Sequence, residues 1–173
     1  MKLRELQLKD AAGMLEWMKD PVCNVHFRFN PDNVTLDSVE TFIKNAAASI
    51  KRQQATDRHY AIVDDNDEYL GTISLKNINY KDKNAEYAVA LRRSASGKGI
   101  GYNATMAILD IAFRELDLNR VYLNVWPENK RAIALYLKCG FKFEGEFREH
   151  VFVRGEYKNL KWYGILRDEY ESV

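Results

Sequence analysis

With 173 residues, 46% of them hydrophobic and 29% charged, the chain is sized for one domain with a full core, spanning 1–173, and is too apolar to be disordered. A formal net charge of +1 gives no electrostatic footprint for general nucleic-acid binding, and no apolar run approaches the length of a membrane span. Cys23 and Cys139 are too few for a disulfide scaffold and lack metal-ligand spacing, and the charged N-terminus shows no signal peptide, so free thiols in a cytoplasmic protein are expected.

Leu3, Leu6 and Leu8 lie in a short opening segment that reads as an edge strand. Asp10 is the expected N-cap of a helix through Met14, Leu15 and Met18, which Asp20-Pro21 stops. Residues 22–33 form a loop rich in large aromatics, and it reads equally as a substrate wall or as a packed connection. Thr35 opens a second helix, whose apolar face is Val39, Phe42, Ile43, Ala46, Ala47 and Ile50. His59–Val63, Tyr69–Leu75 and Glu86–Leu91 read as three strands of an antiparallel meander. Asp64-Asp65-Asn66-Asp67 joins the first two as a solvated turn, because it lacks the glycine and terminal glutamate of a calcium loop.

The strand ending at Leu91 runs into Ser96-Gly97-Lys98-Gly99-Ile100-Gly101-Tyr102, and a helical apolar spacing from Met106 to Leu116 follows. A glycine-rich turn opening a helix gathers unpaired N–H groups and the positive dipole end at one spot, which favours phosphate. Tyr102 stands where a dinucleotide fingerprint needs glycine, and Gly99 follows Lys98 where a P-loop needs Ser or Thr. Arg120–Val125 alternates as a strand parallel to Glu86–Leu91, across the intervening helix. Asn129 opens a further helix through Tyr136, Gly140 is its C′ residue, and Phe141–Val153 with Tyr157–Leu166 forms a long closing hairpin.

The glycine turn, the strand before it and Asn129-Lys130-Arg131-Ala132-Ile133-Ala134-Leu135-Tyr136-Leu137-Lys138-Cys139-Gly140-Phe141 together resemble the GCN5-related N-acetyltransferases (GNAT), over most of the chain. The branch most similar contains ribosomal-protein N-terminal, polyamine and amino-sugar-nucleotide acetyltransferases. The resemblance implies an α/β (α+β) single-domain fold, with a mixed, mostly antiparallel sheet, helices on both faces and a splayed parallel strand pair. It implies acetyl-CoA as cofactor, with pyrophosphate on Ser96, Gly97, Lys98, Gly99, Ile100, Gly101 and Tyr102. It further implies the pantetheine arm beside the backbone of Leu91 and Arg93, and Asn129 on the cofactor. Ser96 departs from the family signature, which has Arg or Gln at that position, so this loop is expected to rely on backbone amides and Lys98.

Amine attack on a thioester requires a proton donor for the leaving sulfur and an acceptor for the amine's proton. Tyr136 lies about two helical turns past Asn129 on the same side, and the resemblance implies that it is the donor. Glu86, at the start of the strand leading to the glycine turn, is the first candidate base and His150 the second. A backbone N–H near Leu91 is the expected oxyanion donor. The expected acceptor is an amino-sugar nucleotide, from the resemblance of Glu146–Tyr157 to that group, and Arg28, Arg52, Arg148 and Arg154 would serve its phosphates if the fold brings them together, which the sequence does not show. A protein N-terminus or a polyamine is the alternative acceptor, and a non-catalytic coenzyme A sensor is the alternative of another class. The remaining partner expectations are neither nucleic acid nor membrane, with a homodimer as the candidate assembly; no metal site is expected.

Overall fold

The computed structural model describes residues 1–172. Its strands are β1 (Lys2–Glu5), β2 (Arg58–Val63), β3 (Tyr69–Asn79), β4 (Asn84–Leu91), β5 (Arg120–Val125), β6 (Lys142–Val153) and β7 (Glu156–Leu166). They form one sheet in the order β1-β2-β3-β4-β5-β7-β6, antiparallel at every junction except β4 with β5. The α-helices are α1 (Ala11–Lys19), α2 (Pro21–Asn24), α3 (Leu36–Ile50), α4 (Ile100–Asp110), α5 (Lys130–Lys138) and α6 (Arg167–Tyr170). No helix among the described residues is long and apolar enough to cross a membrane.

Strand alternation gives the sheet two apolar faces, and each buries a separate core. Ile73, Leu75 and Tyr87 face α4 and α5, packing with Ile108, Leu123 and Phe141. Ala61, Val63 and Ala90 face the opposite way, against Met14 and Trp17 of α1 and Val39 and Ile43 of α3. Each fully buried Leu, Ile or Phe contributes about 1.5–3 kcal/mol, so the two faces together fix the register. A one-residue slip of any central strand would invert both cores.

Local signals set most helix ends. Thr35 caps α3 by accepting from Ser38 N at 3.1 Å, and Ser38 returns the bond. Asp20 ends α1 and caps α2 through Val22 N at 2.9 Å, with Pro21 at the first helical position. Gly140 ends α5 at φ 93°, and Arg154-Gly155, both at positive φ, turn the β6–β7 hairpin.

Asp10 departs from its expected role. Residues Leu8–Asp10 form a 3₁₀ turn before α1, and Asp10 has helical angles and no capping bond. Its carboxylate is 1% exposed and accepts from Arg4 Nη1 and Nη2, both at 2.8 Å, and from Gln7 N at 2.8 Å. A buried carboxylate requires a paired cation more than the helix requires a cap. The Asp64–Asp67 turn is solvated as expected, and Asp67 ion-pairs with Arg4 and Lys9.

His59 lies inside β2, beside Phe42, and shares a 2.7 Å bond with Ser74 Oγ. Burial, the largest cause, lowers its pKa below the ordinary 6.5. Below about pH 6.5 the unfolded chain therefore binds a proton at His59 that the folded chain refuses, and stability falls as pH drops through that window. His26 adds in the same direction, because burial also lowers its pKa. His59→Gln should flatten the Tm-versus-pH curve between pH about 5 and 7. An unchanged slope would remove His59 from the pH response.

Candidate active site

The parallel junction is short. β4 and β5 pair only at Asn84–Arg120, Ala85–Val121 and Glu86–Tyr122, yet β4 runs on to Leu91 and β5 to Val125. Beyond Glu86 the two strands diverge and leave a gap. Arg92 N bonds to Leu70 O at 2.9 Å, so the even-numbered residues of β4 turn their backbone groups toward β3. Tyr87, Val89 and Leu91 therefore direct theirs into the gap, as an edge offered to an extended ligand. Leu91 is the last β4 residue and keeps its expected place. Arg93 does not: Arg93–Ala95 is a 3₁₀ turn beyond the strand, and the Arg93 side chain pairs with Asp20. That guanidinium holds the Asp20 carboxyl down at about 2. Val89, which the sequence does not single out, replaces Arg93 along the gap.

The glycine turn leads into α4. Gly97 and Gly99 sit at φ 79° and 76°, a region that side chains with a Cβ rarely occupy, and Gly99 is the residue before the helix. Asn103 N closes the first helical bond on Gly99 O, leaving the N–H groups of Ile100, Gly101 and Tyr102 without a helical partner. Ser96 N is already bonded to Arg93 O at 3.1 Å, so Ser96 is not one of the cradle's donors. Lys98 is exposed at the same spot. A Cβ placed on Gly97 would lie 4.0 Å from Arg131 Nη2, and one on Gly101 would lie 3.2 Å from Leu135 Cδ2, so α5 packs across the turn and brings a guanidinium to it. Lys138 lies 4.9 Å from the Tyr102 ring centroid. These donors and cations fit a diphosphate group.

Asn129 Oδ1 caps α5 through Ala132 N at 3.2 Å, which leaves the amide nitrogen as the end for a ligand. Tyr136 is 8% exposed, edge-on to Tyr87 at 5.7 Å and to Phe141 at 6.0 Å. Burial, the largest cause, raises its hydroxyl well above the ordinary 10. Cys139 is buried beside it, and burial pushes that thiol up to about 11, so it offers little thiolate near neutrality.

Glu86 occupies the opposite face of the sheet, by alternation with Tyr87. Lys76 Nζ and Asn124 Nδ2 donate to its Oε1 at 3.0 and 3.3 Å, and Asn77 Nδ2 donates to Oε2 at 3.0 Å. Tyr122 and Trp162 carry this face outward, with ring centroids 6.0 Å apart. Tyr136 and Glu86 thus stand on opposite sides of the sheet, and the gap is where the sides meet. His150 is not brought to them. It is exposed on the hairpin, 5.2 Å from the Phe147 ring and 6.4 Å from that of Trp162. Within residues 22–33, Phe27 and Phe29 pack against Trp17 with ring centroids 5.2 and 6.0 Å away, and Arg28 reaches Asn124 Oδ1 at 3.0 Å.

Residues 1–142 match the model of the acetyltransferase (GNAT) domain. The chain belongs to the GNAT acetyltransferase family. This GNAT chain is similar to the crystal structure of a spermidine N-acetyltransferase from Vibrio cholerae in complex with CoA and spermine, with TM-score 0.86 and 27% identity over 98% of this chain and 97% of that one. A Vibrio cholerae spermidine N(1)-acetyltransferase is 33% identical over 114 residues, 66% of either chain, and a Bacillus licheniformis N-acetyltransferase is 27% identical over 98% of this chain and 94% of its own. The GNAT fold, with acetyl-CoA as its acyl donor, is as the sequence implies.

The amino-sugar-nucleotide expectation is corrected. Several relatives are named as spermidine acetyltransferases, one is named as a putative ribosomal N-acetyltransferase, and none of these names an amino-sugar nucleotide. The four arginines do not converge: Arg28 is on Asn124, Arg154 donates to Asn24 O and Val25 O, Arg52 lies at the far end of α3, and Arg148 is exposed on β6. Arg148 and Arg154 share the closing hairpin, but their side chains have no common partner among the described residues.

Proposed function

We propose that this GNAT acetyltransferase moves an acetyl group from acetyl-CoA to a primary amine of a polyamine. The observation that carries the reading is the gap that opens directly after Glu86, with Tyr136 across the sheet. Acetyl-CoA supplies an activated thioester whose sulfur takes up a proton on leaving. The N–H groups of Gly101 and its neighbours, with Lys98 and Arg131, bind its diphosphate, and Asn129 holds the cofactor farther along. Val89 and Leu91 direct backbone N–H groups at the gap, where a donor to the developing oxyanion is worth about 10²–10³ in rate. Tyr136 Oη holds the proton that the sulfur needs.

A free alkyl amine has a pKa of roughly 10, so near pH 7 only about one in 10³ is neutral. Glu86 accepts the surplus proton on the side from which the amine enters. The Tyr122 and Trp162 rings on this side suit an alkyl ammonium chain. Similarity to spermidine acetyltransferases supports the polyamine over a protein N-terminus.

Thiol release from acetyl-CoA tests the reading across spermidine, spermine, an N-terminal peptide and a UDP-amino sugar. The largest kcat/KM is expected with a polyamine. A larger value with the peptide or the sugar nucleotide would overturn the acceptor. Tight coenzyme A binding with no turnover on any amine would favour a sensor.

A further inference from the structure

We propose that Asn124 is a positioning residue that holds the Glu86 carboxylate at the gap and keeps Arg28 from pairing with it. The inference rests on the acetyltransferase reading of the site. Asn124 lies two residues beyond Tyr122, the last β5 residue paired with β4, and on the same side of the strand. Had the pairing continued, its partner would be Ala88, which is too small to fill the space.

Both ends of the Asn124 amide are engaged. Oδ1 accepts from Arg28 Nη2 at 3.0 Å, and Nδ2 donates to Glu86 Oε1 at 3.3 Å. These partners fix the orientation of the amide, because the flipped form sets N–H against a guanidinium and C=O against a carboxylate. The charged and titratable groups about Glu86 are then Lys76 from β3, Tyr122 from β5 and, one amide away, Arg28.

The spacing decides the chemistry. A guanidinium matches a carboxylate as a two-pronged fork and pairs with it strongly. With a side chain unable to accept or donate at position 124, Arg28 loses its partner while Glu86 lies one side chain away. Lys76 already pairs with this carboxylate at 3.0 Å, and a guanidinium added to it would leave less charge to take the amine's proton. Asp at 124 would hold Arg28 but repel Glu86, and Ser would be too short to span the two. An amide alone among side chains of this length satisfies an anion and a cation at once. Asn124 also tethers the Phe27–Phe29 wall to β5 through Arg28, so the acceptor side of the gap is bounded by the bond that protects the base.

The test uses Asn124→Leu, Arg28→Ala and the double variant, with spermidine as the probe amine and acetyl-CoA saturating. Asn124→Leu should lower kcat/KM for spermidine roughly 10- to 100-fold, as a displaced catalytic group does, with the coenzyme A Kd unchanged. The double variant should recover the part of the loss that Arg28 causes, since no guanidinium is left to pair with Glu86, and keep the part due to the missing Asn124 bond. Full activity in Asn124→Leu, or a double variant as slow as the single one, would overturn the proposal. A crystal structure of Asn124→Leu gives a readout independent of turnover. Arg28 bonded to Glu86 is expected, and Arg28 turned to solvent refutes the role even if spermidine proves not to be the acceptor.

Discussion

Tyr136→Phe is expected to lower kcat by roughly 10²-fold or more, with the acetyl-CoA Kd held within about twofold. The variant removes one oxygen and keeps the ring. The ring supplies the contacts with Tyr87 and Phe141, so packing persists and Tm should not fall. What is lost is the proton on Oη. Burial pushes that hydroxyl above its ordinary value, which makes it a weaker acid in isolation. The same dry surroundings strengthen the hold of a departing thiolate on a proton, so donor and acceptor shift together. A donor must be protonated to act, and a raised pKa extends the protonated form to higher pH. Wild-type turnover should therefore show no alkaline fall from this group through pH about 10. Isothermal titration with coenzyme A and steady-state rates at saturating amine separate the outcomes. Equal kcat in the two proteins would remove Tyr136 from proton transfer, and a large loss of affinity would make it a binding residue instead.

Tyr136 is also a fair measure of what the chain discloses by itself. Asn129 caps α5, Tyr136 lies on it and Gly140 ends it, so spacing alone sets their directions, and the glycine turn is equally local. Capping at Thr35 and the turn at Arg154-Gly155 depend on neighbours in sequence, so they too are legible. The surroundings of Glu86 are not. Lys76 and Asn77 come from β3 and Asn124 from β5, and only the β3–β4 register and the divergence of β5 bring them to one carboxylate. Asn124 falls on the polar side of an alternating strand, with Arg120 and Tyr122, so the pattern does not set it apart. Asp10 failed for a related reason, since its partner Arg4 belongs to the edge strand. β4 ends at Leu91 as the pattern predicts, and Arg93 lies in the 3₁₀ turn that follows, a backbone path that hydrophobic pattern does not encode.

Gly71→Ala is expected to destabilise the protein by about 1–3 kcal/mol, the usual range for overpacking, and so to lower Tm by roughly 2–12 °C. Coenzyme A binding should weaken as well. A Cβ at Gly71 would stand 2.3 Å from Ala90 O, 2.9 Å from Leu91 Cδ2 and 3.0 Å from Leu91 Cα. Two of these are backbone atoms, so rotation of the Leu91 side chain cannot relieve the contact. β4 must move at its exit, where Val89 and Leu91 line the gap. The displacement carries farther, because Leu91 Cδ1 also lies 3.5 Å from the position of a Cβ on Gly101, and Leu135 closes on that glycine from α5. Gly71, Leu91, Gly101 and Leu135 thus form one packed line from β3 to α5, seating the phosphate cradle on the strand that borders the gap. Thermal unfolding with and without coenzyme A measures both effects. Adding Leu91→Ala should restore little, since Ala90 O still blocks the new methyl. Full recovery in that double variant would place the strain in the side chain and detach the cradle from the strand.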